Sequence, residues 1–553
     1  MARMTGKRAF MEMLRAEGVR YIFGNPGTSE SAIMASLPAY PDIEYLLATQ
    51  EGVAMGMADG YACATGRPSF VNLHIETGLA NGISLLHHAM DGGTPLVLTS
   101  GNKDIRKLTE GRTDLVEMVR QFTKWSVEIT HAEQVPGALR RAFNEAKTPP
   151  TGPVFVGIAA NALEDEADVE ILPSPRGYFR TSADPDAVQA AAGLLTKAVN
   201  PIMVVGDRLA QSAGTDQAVR LAELLGARVY TTSYARMNFP SGHPQFLGRI
   251  SPALPASREV LASGDVVLAV GTDVFSGFFY FSGGSLASGA KLIHVDSAYR
   301  AVGRSEPTAV GIIADPCSAL RDIAAAVDGG MSGPGRETAR SRALSVGQMK
   351  AELTAAWGRR LKEKWDQRPM SAERMMAEAA GALPPETIIV DDSISSKDAL
   401  HGAFTFNGPD SIFGERVGAI GWGMGSAMGV KLAHPDRPVV GIVGDGSAMM
   451  TVQALWTAAN ANIPVVYLIC NNRSYRILKL NMDVYQSQVL GEDLSRSYVG
   501  MDFPIPLNIA GIANAIGLYG RTIEDPSEIG PALRQAMDLG KPAVLDIIID
   551  GSS

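Results

Sequence analysis

Short apolar runs alternate with amphipathic segments along the first third of the chain. The runs are bounded by Gly, Pro or Asn, which is typical of buried strands. They lie at residues 21–23, 68–73, 95–99 and 153–157. The segment before the first run, from residue 1 to about residue 20, has the periodicity of an amphipathic helix. Buried strands separated by helices predict a parallel sheet that is covered on both faces, with functional groups at the carboxyl ends of its strands.

The same alternation recurs twice more along the chain. Residues 171–185 are rich in Pro, Ser and Gly and predict a linker, and residues 327–337 predict a second linker that leads to a charged helix ending near residue 368. Further strands are expected at 201–205, 227–231, 266–270 and 291–295, and then at 387–390, 439–443, 465–469 and 543–549. The sequence therefore predicts an α/β protein of three domains with parallel sheets, over residues 1–170, 186–330 and 370–553.

Composition narrows the class of protein. Of the 553 residues 46% are hydrophobic and 19% are charged, which predicts a well-packed globular chain. The net charge of −9 argues against a general nucleic-acid binder, because phosphate contacts need clustered Lys and Arg. The apolar runs are too short to span a bilayer, and the first residues lack the apolar core of a signal peptide. Cys63, Cys317 and Cys470 are far apart, which favours free thiols. We therefore expect a cytoplasmic protein.

Two polar motifs end strands of the third predicted domain. The strand at residues 439–443 ends in Gly444-Asp445-Gly446-Ser447, and the strand at 465–469 leads to Asn471-Asn472. One helix and one return strand fit between the two motifs. A parallel βαβ unit would therefore place both motifs side by side at the same edge of the sheet.

The oxygen atoms of these motifs suit Mg²⁺. Asp445 offers a carboxylate, Asn472 offers an amide oxygen, and the backbone carbonyl of Ser474 is a third candidate; phosphate oxygens and water would complete an octahedron. The two glycines of the first motif allow close backbone approach. The Ser447 hydroxyl, near the start of the following helix, suits a phosphate. Either motif alone could be an ordinary turn, but the pair predicts a site for a metal ion and a diphosphate.

This pair of motifs resembles the metal and diphosphate motif of thiamine diphosphate enzymes. Other segments are in register with the decarboxylase and acetolactate-synthase branch of that family, and resemble benzoylformate decarboxylases most: FGNPGTSE, ATQEGVAMGMADGYA, NLH and GDGSAMMTVQALWTAANANIP. The resemblance covers nearly the whole chain. It implies a pyrimidine-binding, a central and a diphosphate-binding domain, in that order, with thiamine diphosphate and Mg²⁺ as cofactors.

The resemblance also implies roles for single residues. Glu51 matches the glutamate that bonds N1′ of the aminopyrimidine and so favours loss of the C2 proton of the thiazolium. It would meet Asp445 across a subunit interface, which implies a homodimer or a homotetramer. The remaining matches are cofactor contacts, each of which could instead pack in the core or cap a helix: the carbonyl of Gly418, the side chain of Ile420 that bends the cofactor, Ser395, Ser447 and Tyr475.

On the substrate side the resemblance is partial. Thr28 stands where benzoylformate decarboxylases have a serine. His74 matches the first of their two histidines and is placed to bond or protonate the substrate oxygen, although it could also be a core histidine. Phe278 falls about where the second histidine should be. Since a phenyl ring carries no proton, aldehyde release would be slow or would use another group, and an unprotonated intermediate could attack a second carbonyl.

Several charged side chains near the motifs are open to two interpretations. Glu76 replaces a small residue and could bring a carboxylate to the cleft. Arg476 and Lys479 are three residues apart and could face an anionic substrate, or they could belong to a solvated helix face. The neighbouring histidines His87 and His88 are interpreted as packing residues.

Two activities remain open. The first is a thiamine diphosphate- and Mg²⁺-dependent 2-oxo acid decarboxylase that acts through a C2 ylid and an enamine; the aromatic cluster at residues 278–281 would suit a bulky substrate. The second is a carboligase or lyase, similar to acetolactate synthases, that forms or cleaves hydroxyketones or related 2-hydroxyacyl compounds. Glu51, Asp445 and Asn472 together argue against a non-catalytic relative. Some synthases carry a flavin in the central domain, but we find no motif for one.

Overall fold

The computed structural model describes residues 1–107, 109, 111–177, 179–251, 254–274, 279 and 283–552. Within these ranges the strands form three six-stranded sheets and one two-stranded ribbon. The ribbon pairs β1 (Ala2–Thr5) antiparallel with β8 (Glu166–Val169). The neighbouring strands of the three large sheets are all parallel, as the sequence predicts.

The first sheet has the strand order β3-β2-β4-β5-β7-β6. Its strands are β2 (Tyr21–Asn25), β3 (Glu44–Leu47), β4 (Ser69–Leu73), β5 (Leu96–Asn102), β6 (Trp125–Ile129) and β7 (Pro153–Ala159). The helices of this unit are α1 (Gly6–Ala16), α2 (Ser31–Ser36), α3 (Glu51–Thr65), α4 (Ile75–Asp91), α5 (Leu115–Val119), α6 (Val135–Lys147) and α7 (Ala160–Glu164).

The second sheet has the strand order β11-β10-β9-β12-β13-β14. Its strands are β9 (Pro201–Val205), β10 (Arg228–Thr231), β11 (Phe246–Arg249), β12 (Val266–Val270), β13 (Lys291–Asp296) and β14 (Val310–Ile313). Its helices are α8 (Pro185–Leu195), α9 (Asp207–Gln211), α10 (Thr215–Leu225), α11 (Pro255–Ala262) and α12 (Pro316–Gly330). The long helix α13 (Gly333–Glu363) connects this unit to the third.

The third sheet has the strand order β16-β15-β17-β18-β20-β19. Its strands are β15 (Ile388–Asp392), β16 (Ile412–Gly414), β17 (Val439–Gly444), β18 (Val466–Asn471), β19 (Tyr519–Ile523) and β20 (Ala543–Ile548). The helices are α14 (Ala372–Ala382), α15 (Lys397–Ala403), α16 (Trp422–Ala433), α17 (Asp445–Met450), α18 (Ala454–Asn460), α19 (Arg476–Val484), which continues into a π-helix at Tyr485–Leu490, α20 (Ile509–Ala515) and α21 (Ile529–Asp538).

Two local predictions are wrong. The first helix begins at Gly6, because the residues before it pair with β8. Most of the second predicted linker is helical, since α12 runs to Gly330 and α13 begins at Gly333, where the Ser332 side chain accepts a hydrogen bond from Gly335 N. The expected proximity of the two polar motifs is confirmed, because β17 and β18 are adjacent parallel strands.

The first and third units share one hydrophobic core through α3 and α16. These helices cross at backbone contact, because glycines line both faces. A Cβ atom on Gly60 would lie 2.3 Å from the Ser426 carbonyl oxygen, and one on Gly429 would lie 1.9 Å from the Met57 carbonyl oxygen. None of the described helices is long and apolar enough to cross a membrane.

Candidate functional site

The strand order creates a crevice in both terminal sheets. In the first sheet the connection from β2 leads to one side and the connection from β4 to the other, so the carboxyl ends of these two strands flank a switch point. β15 and β17 do the same in the third sheet. Asn25 ends β2 and His74 follows β4, while Asp392 ends β15 and Asp445 follows β17. The topology therefore brings polar side chains to the positions where such sheets bind ligands.

Glu51 is the first residue of α3, and its side chain is buried at the edge of the first sheet. The Asn25 amide donates to one carboxylate oxygen at 3.0 Å, and the Asn81 amide donates to the other at 3.1 Å. The preceding Gln50 caps the helix by accepting a hydrogen bond from Val53 N. The two amide groups and the capped helix thus fix the orientation of the Glu51 carboxyl group.

His74 precedes α4 and contacts the turn that follows β2. Its Nδ1 lies 2.7 Å from Ser29 Oγ and 3.1 Å from Glu30 Oε2. The hydroxyl that contacts His74 therefore belongs to Ser29, whereas Thr28, one residue earlier in the same turn, is exposed. The pattern at the level of sequence did not single out Ser29 or Glu30.

Asp445 and Asn472 lie at the ends of adjacent strands. One oxygen of Asp445 accepts from Gly446 N at 2.8 Å and the other from Arg473 N at 2.7 Å. Burial raises the pKa of Asp445 to about 7, and the backbone donors only partly offset this. The Asn472 Oδ1 accepts from Ser474 N at 3.0 Å. Its Nδ2 lies 3.4 Å from Ser395 Oγ, so a predicted metal ligand is in contact with a predicted diphosphate contact.

These side chains fit a cation bound together with an anion. A buried carboxylate with a raised pKa lacks a positive partner, which a divalent ion would supply. No cluster of three or more His, Cys, Asp and Glu suits a metal among the residues that the structure describes, so such an ion would also need amide, carbonyl and phosphate oxygens. The Tyr475 and Phe503 rings pack directly against the backbone of Gly446, where a Cβ atom would lie 2.5 Å from the Tyr475 ring and 3.1 Å from Phe503, so these rings can keep their positions only beside a glycine.

Asp392 organises the segments around this position. Its Oδ2 accepts hydrogen bonds from Gly421 N at 3.1 Å, Gly423 N at 2.9 Å and Ser447 Oγ at 2.5 Å. The Ser447 oxygen in turn accepts from Gly421 N at 2.7 Å. Burial raises the pKa of Asp392 to about 7, and the nearby Glu415 adds to the effect. An acidic residue at a strand end was visible in the sequence, but its partners were not.

The loop before α16 carries two more of the predicted contacts. Gly418 has a left-handed backbone (φ +72°), and its carbonyl accepts from Ile420 N at 2.9 Å. Thr451 Oγ1 donates to the carbonyl of Gly421 at 2.6 Å, and a Cβ atom on Gly52 would lie 3.4 Å from the Thr451 methyl carbon. The loop is thereby connected, within one chain, to the helix that begins with Glu51.

Four of the eight non-glycine residues with positive φ in the described part of the chain adjoin predicted site residues. Ile75, Ile394, Val417 and Arg473 have φ values of 24°, 44°, 52° and 57°. Three of these are β-branched, for which the left-handed region is costly. They adjoin, in order, His74, Ser395, Gly418 and Asn472. Strain of this kind persists where the surrounding structure enforces it, which is common at functional sites.

The charged residues beyond the motifs have contacts within the chain. Lys479 is buried, and its Nζ lies 2.5 Å from Asp502 Oδ1. Arg476 Nε donates to the carbonyl of Ser552 at 2.8 Å. One carboxylate oxygen of Glu76 is buried without a hydrogen-bond partner in the described part of the chain. Phe278 lies outside the described residues.

Known families and proteins are similar to this chain over nearly its whole length. Models of the thiamine pyrophosphate enzymes match residues 4–124 (N-terminal TPP binding domain), 188–323 (central domain) and 395–547 (C-terminal TPP binding domain). A benzoylformate decarboxylase of Pseudomonas aeruginosa is 29% identical over 547 residues, 98% of each chain. A probable acetolactate synthase large subunit of Methanococcus aeolicus is 28% identical over 576 residues, 100% of this chain and 93% of the other.

Two solved structures cover the same length. The benzoylformate decarboxylase from Polynucleobacter necessarius superposes with a TM-score of 0.86, 25% identity and 99% of both chains. A thiamine diphosphate-dependent 4-hydroxybenzoylformate decarboxylase of Rhodococcus jostii RHA1 superposes with a TM-score of 0.84, 27% identity and 99% of both chains.

Proposed function

Because this chain belongs to the family of thiamine pyrophosphate enzymes, we propose that it is a Mg²⁺-dependent 2-oxo acid decarboxylase similar to benzoylformate decarboxylases. The observation that carries the proposal is the placement of Glu51 and His74 at one edge of the first sheet. A carboxyl group held by two amides and an imidazole held by a buried carboxylate are two proton-exchanging groups on one unit. Relatives named as benzoylformate decarboxylases, similar over their whole length, support the same activity.

The third unit would hold the charged end of the cofactor. Asp445, Asn472 and the carbonyl of Ser474 are the proposed Mg²⁺ ligands, and Ser395 and Ser447 the proposed diphosphate contacts. The raised pKa of Asp445 supports this assignment, as does the contact between Asn472 and Ser395. Gly444 lets the chain enter α17 directly from β17. The Tyr475 ring, which packs against Phe503 at 4.8 Å, would flank the diphosphate.

Thiamine diphosphate, when bound, would supply a nucleophilic thiazolium carbon and a cationic ring that takes up the electron pair of the broken C–C bond. The role proposed for Glu51 is to hold a proton at its carboxyl oxygen for N1′ of the aminopyrimidine. The Gly418 carbonyl would accept a hydrogen bond from the 4′-amino group of the aminopyrimidine. The Ile420 side chain would pack against the cofactor and bend it. His74 would exchange a proton with the substrate through Nε2. Thr28, in the turn after β2, would offer its hydroxyl group to the substrate.

A second copy of the chain would complete the site. Large apolar side chains are exposed beside the predicted cofactor contacts, including Val417 (47% exposed), Met449 (39%) and Met450 (47%). An apolar patch next to a site is typical of a surface that is covered on assembly. We therefore propose a homodimer or homotetramer in which Glu51 of one chain faces Asp445 of another.

A carboligase or lyase is the second candidate. It is favoured by Phe278, which stands about where benzoylformate decarboxylases have a second histidine. A phenyl ring cannot return a proton, so the reacting carbon would stay available for a second carbonyl compound. The match to acetolactate synthases and to sulfoacetaldehyde acetyltransferases is compatible with this chemistry.

The test is the fate of a panel of 2-oxo acids, including benzoylformate and pyruvate, with thiamine diphosphate and Mg²⁺. CO₂ release is followed, products are identified by mass, and the wild type is compared with Glu51→Gln, His74→Ala and the control Glu44→Gln, an exposed carboxylate of β3. We expect free aldehyde from the wild type and the control. Loss of either proton-exchanging group should slow it by about 10²–10⁴-fold.

The products separate the two candidates. Hydroxyketones, or turnover only after a second aldehyde is added, would replace the decarboxylase with the carboligase. An aldehyde yield that is the same in Glu51→Gln and in the wild type would show that Glu51 does not have the proposed role.

A further inference from the structure

We infer that Glu30 is a positioning residue for His74: together with Ser29 it fixes which ring nitrogen carries hydrogen and supports the protonated imidazole. The inference rests on the proposed function, in which His74 exchanges a proton with the substrate. Ser29 and Glu30 end the segment FGNPGTSE, but the sequence assigned a role to neither, and the role proposed for both follows from the contacts around the imidazole.

Glu30 is a fully buried carboxylate whose hydrogen bonds are all local to the site. Its Oε2 accepts from Gly27 N at 3.0 Å and faces His74 Nδ1 at 3.1 Å. Its Oε1 accepts from Gly101 N at 3.1 Å and from Ser29 Oγ at 2.6 Å. Three N–H or O–H groups thus donate to the two oxygens, which leaves one acceptor position of the carboxylate for His74 Nδ1.

These contacts decide the tautomer of His74. Ser29 has one hydroxyl hydrogen and donates it to Glu30, so the lone pairs of its oxygen face His74 Nδ1 at 2.7 Å. The second neighbour of Nδ1 is the carboxylate, which can only accept. Nδ1 must therefore carry hydrogen, and Nε2 becomes the atom that takes up or releases a proton. The His74 side chain is 32% exposed while that of Glu30 is 0% exposed, so exchange with a substrate takes place at the imidazole and not at the carboxylate.

The backbone is shaped to bring these groups together. A Cβ atom on Gly27 would lie 2.3 Å from the His74 ring, and one on Gly101 would lie 2.7 Å from Ser29 Cβ. Both positions therefore need glycine for the imidazole and the carboxylate to meet. Ile75, directly after His74, keeps its unfavourable φ of 24°. The contact between His74 and Glu30 therefore coexists with a strained backbone at Ile75, which is typical of functional positions.

Other ionisable groups also surround the imidazole. Tyr45 of β3 is close enough to Glu30 to interact with it electrostatically. A Cβ atom on Gly78 would lie 3.1 Å from Glu51 Oε1 and 3.3 Å from His74 Cβ, so Glu51 of α3 is near as well. Glu76 lies on the same helix turn as His74. Of these acids, Glu30 is the one with a hydrogen bond to the ring. Its removal should therefore change the protonation of His74 more than removal of a neighbour.

The experiment measures the protonation of His74 directly. Diethylpyrocarbonate modifies neutral imidazole, and mass spectrometry of peptides gives the rate for each histidine as a function of pH. The full-length protein is used as wild type, Glu30→Gln, Ser29→Ala and the control Glu44→Gln. His131, an exposed histidine of the same chain, serves as an internal reference.

In Glu30→Gln we expect the midpoint of His74 modification to move to lower pH by about one unit, because the imidazolium loses its carboxylate. His131 should not change, and Ser29→Ala should shift the midpoint in the same direction by less. With a 2-oxo acid substrate, kcat of Glu30→Gln should fall by about 10–10²-fold, with the affinity for thiamine diphosphate unchanged.

The outcomes distinguish the inference from the proposed function. An identical His74 profile in wild type and Glu30→Gln overturns the inference, whatever the activity. A shifted profile in a protein that decarboxylates no 2-oxo acid keeps the Glu30–His74 contact and rejects the proposed function. Gln at position 30 turns an N–H group towards another N–H donor, so Ser29→Ala, which leaves the carboxylate in place, gives a second measurement if Glu30→Gln does not fold.

Discussion

At the scale of a single residue, the buried Asp392 connects three segments of the site by hydrogen bonds. Its Oδ2 is shared by the loop before α16, the start of α16 and Ser447 of α17. Its Oδ1 is buried without a partner in the part of the chain that is described. The pKa near 7 follows from this lack of solvation.

Replacing Asp392 by Asn should change the pH dependence of stability. The folded-state pKa of about 7 lies above the ordinary aspartate value of 3.8, so the folded chain retains a proton that the unfolded chain has lost in this window. Wild-type stability should therefore fall as pH rises from about 4 to 7, by up to roughly 1.4 kcal/mol per pH unit. Asn does not titrate, so the Tm of Asp392→Asn relative to wild type should rise between pH 5.5 and pH 8. The exposed Asp538→Asn is the control, and a difference that is independent of pH would contradict the prediction.

We expect Gly444 to tolerate substitution by alanine and Gly446 not to tolerate it. A Cβ atom on Gly446 would meet the Tyr475 ring at 2.5 Å, whereas one on Gly444 has its first neighbour at 3.8 Å, the Asp392 carbonyl oxygen. Gly446→Ala should weaken thiamine diphosphate binding by about tenfold or more through steric displacement, and Gly444→Ala should leave it nearly unchanged. Titration of the apoprotein, followed by intrinsic fluorescence, measures both. Equal affinities for the two variants would show that the position of the Tyr475 ring against Gly446 does not matter for binding.

Single residues could be predicted from the sequence only where they occupy a recognisable motif. His74 follows a strand that is itself evident, so its place at the edge of the sheet could be expected, whereas Glu51 was identified through the family resemblance. Glu30 looked like an ordinary residue of a turn, because nothing local shows that Gly101, 71 positions later, donates to it. Contacts that depend on the pairing of distant strands are not encoded in spacing along the chain.

At the scale of elements, the sheets were easier to predict than their edges. The central strands β4, β5, β17 and β18 are continuous apolar runs, which the pattern identifies. Edge strands such as β3 are short and only partly buried, since Leu46 alone of its four residues is buried, so they are not found in this way. The second linker was predicted wrongly because Gly and Pro can also start a helix, and Pro334 does so near the beginning of α13.

The crossing of α3 and α16 gives a prediction at this scale. A methyl group on Gly429 would lie 1.9 Å from the Met57 carbonyl oxygen, and backbone cannot move aside as a flexible side chain can. Gly429→Ala should therefore lower stability by about 1–3 kcal/mol or more. The matched control is Gly358→Ala in α13, where a Cβ atom would meet nothing within 4 Å. That variant should gain up to about 1 kcal/mol, because alanine favours a helix. Thermal unfolding measures both, and two changes of the same sign would contradict the packing argument.

At the scale of the whole molecule, the first and third sheets have the same strand order. Counted from the first strand of each, both follow the order 2-1-3-4-6-5, and each places its polar groups at the switch point between its first and third strands. Arg416 ties the three units together, since its N–H donates to His88 Nε2 at 3.1 Å and its guanidinium lies 3.4 Å from Asp207 of the second unit. The sequence pattern predicts three units, but it does not predict these contacts of Arg416 between them.

The division of polar groups between two units predicts complementation between inactive variants. If each site combines the first unit of one chain with the third unit of another, a mixed oligomer of Glu51→Gln and Asp445→Ala contains one site with both native residues. Random reassembly of the two inactive proteins should then restore about a quarter of wild-type activity per chain, because half of the pairs are mixed and each has one intact site. Mixing Glu51→Gln with His74→Ala is the matched control, because both changes lie in the first unit and leave every site defective. Activity in the first mixture alone supports a site shared between chains. No activity in either mixture, with mixed oligomers demonstrated by mass, would place Glu51 and Asp445 in the same chain's site.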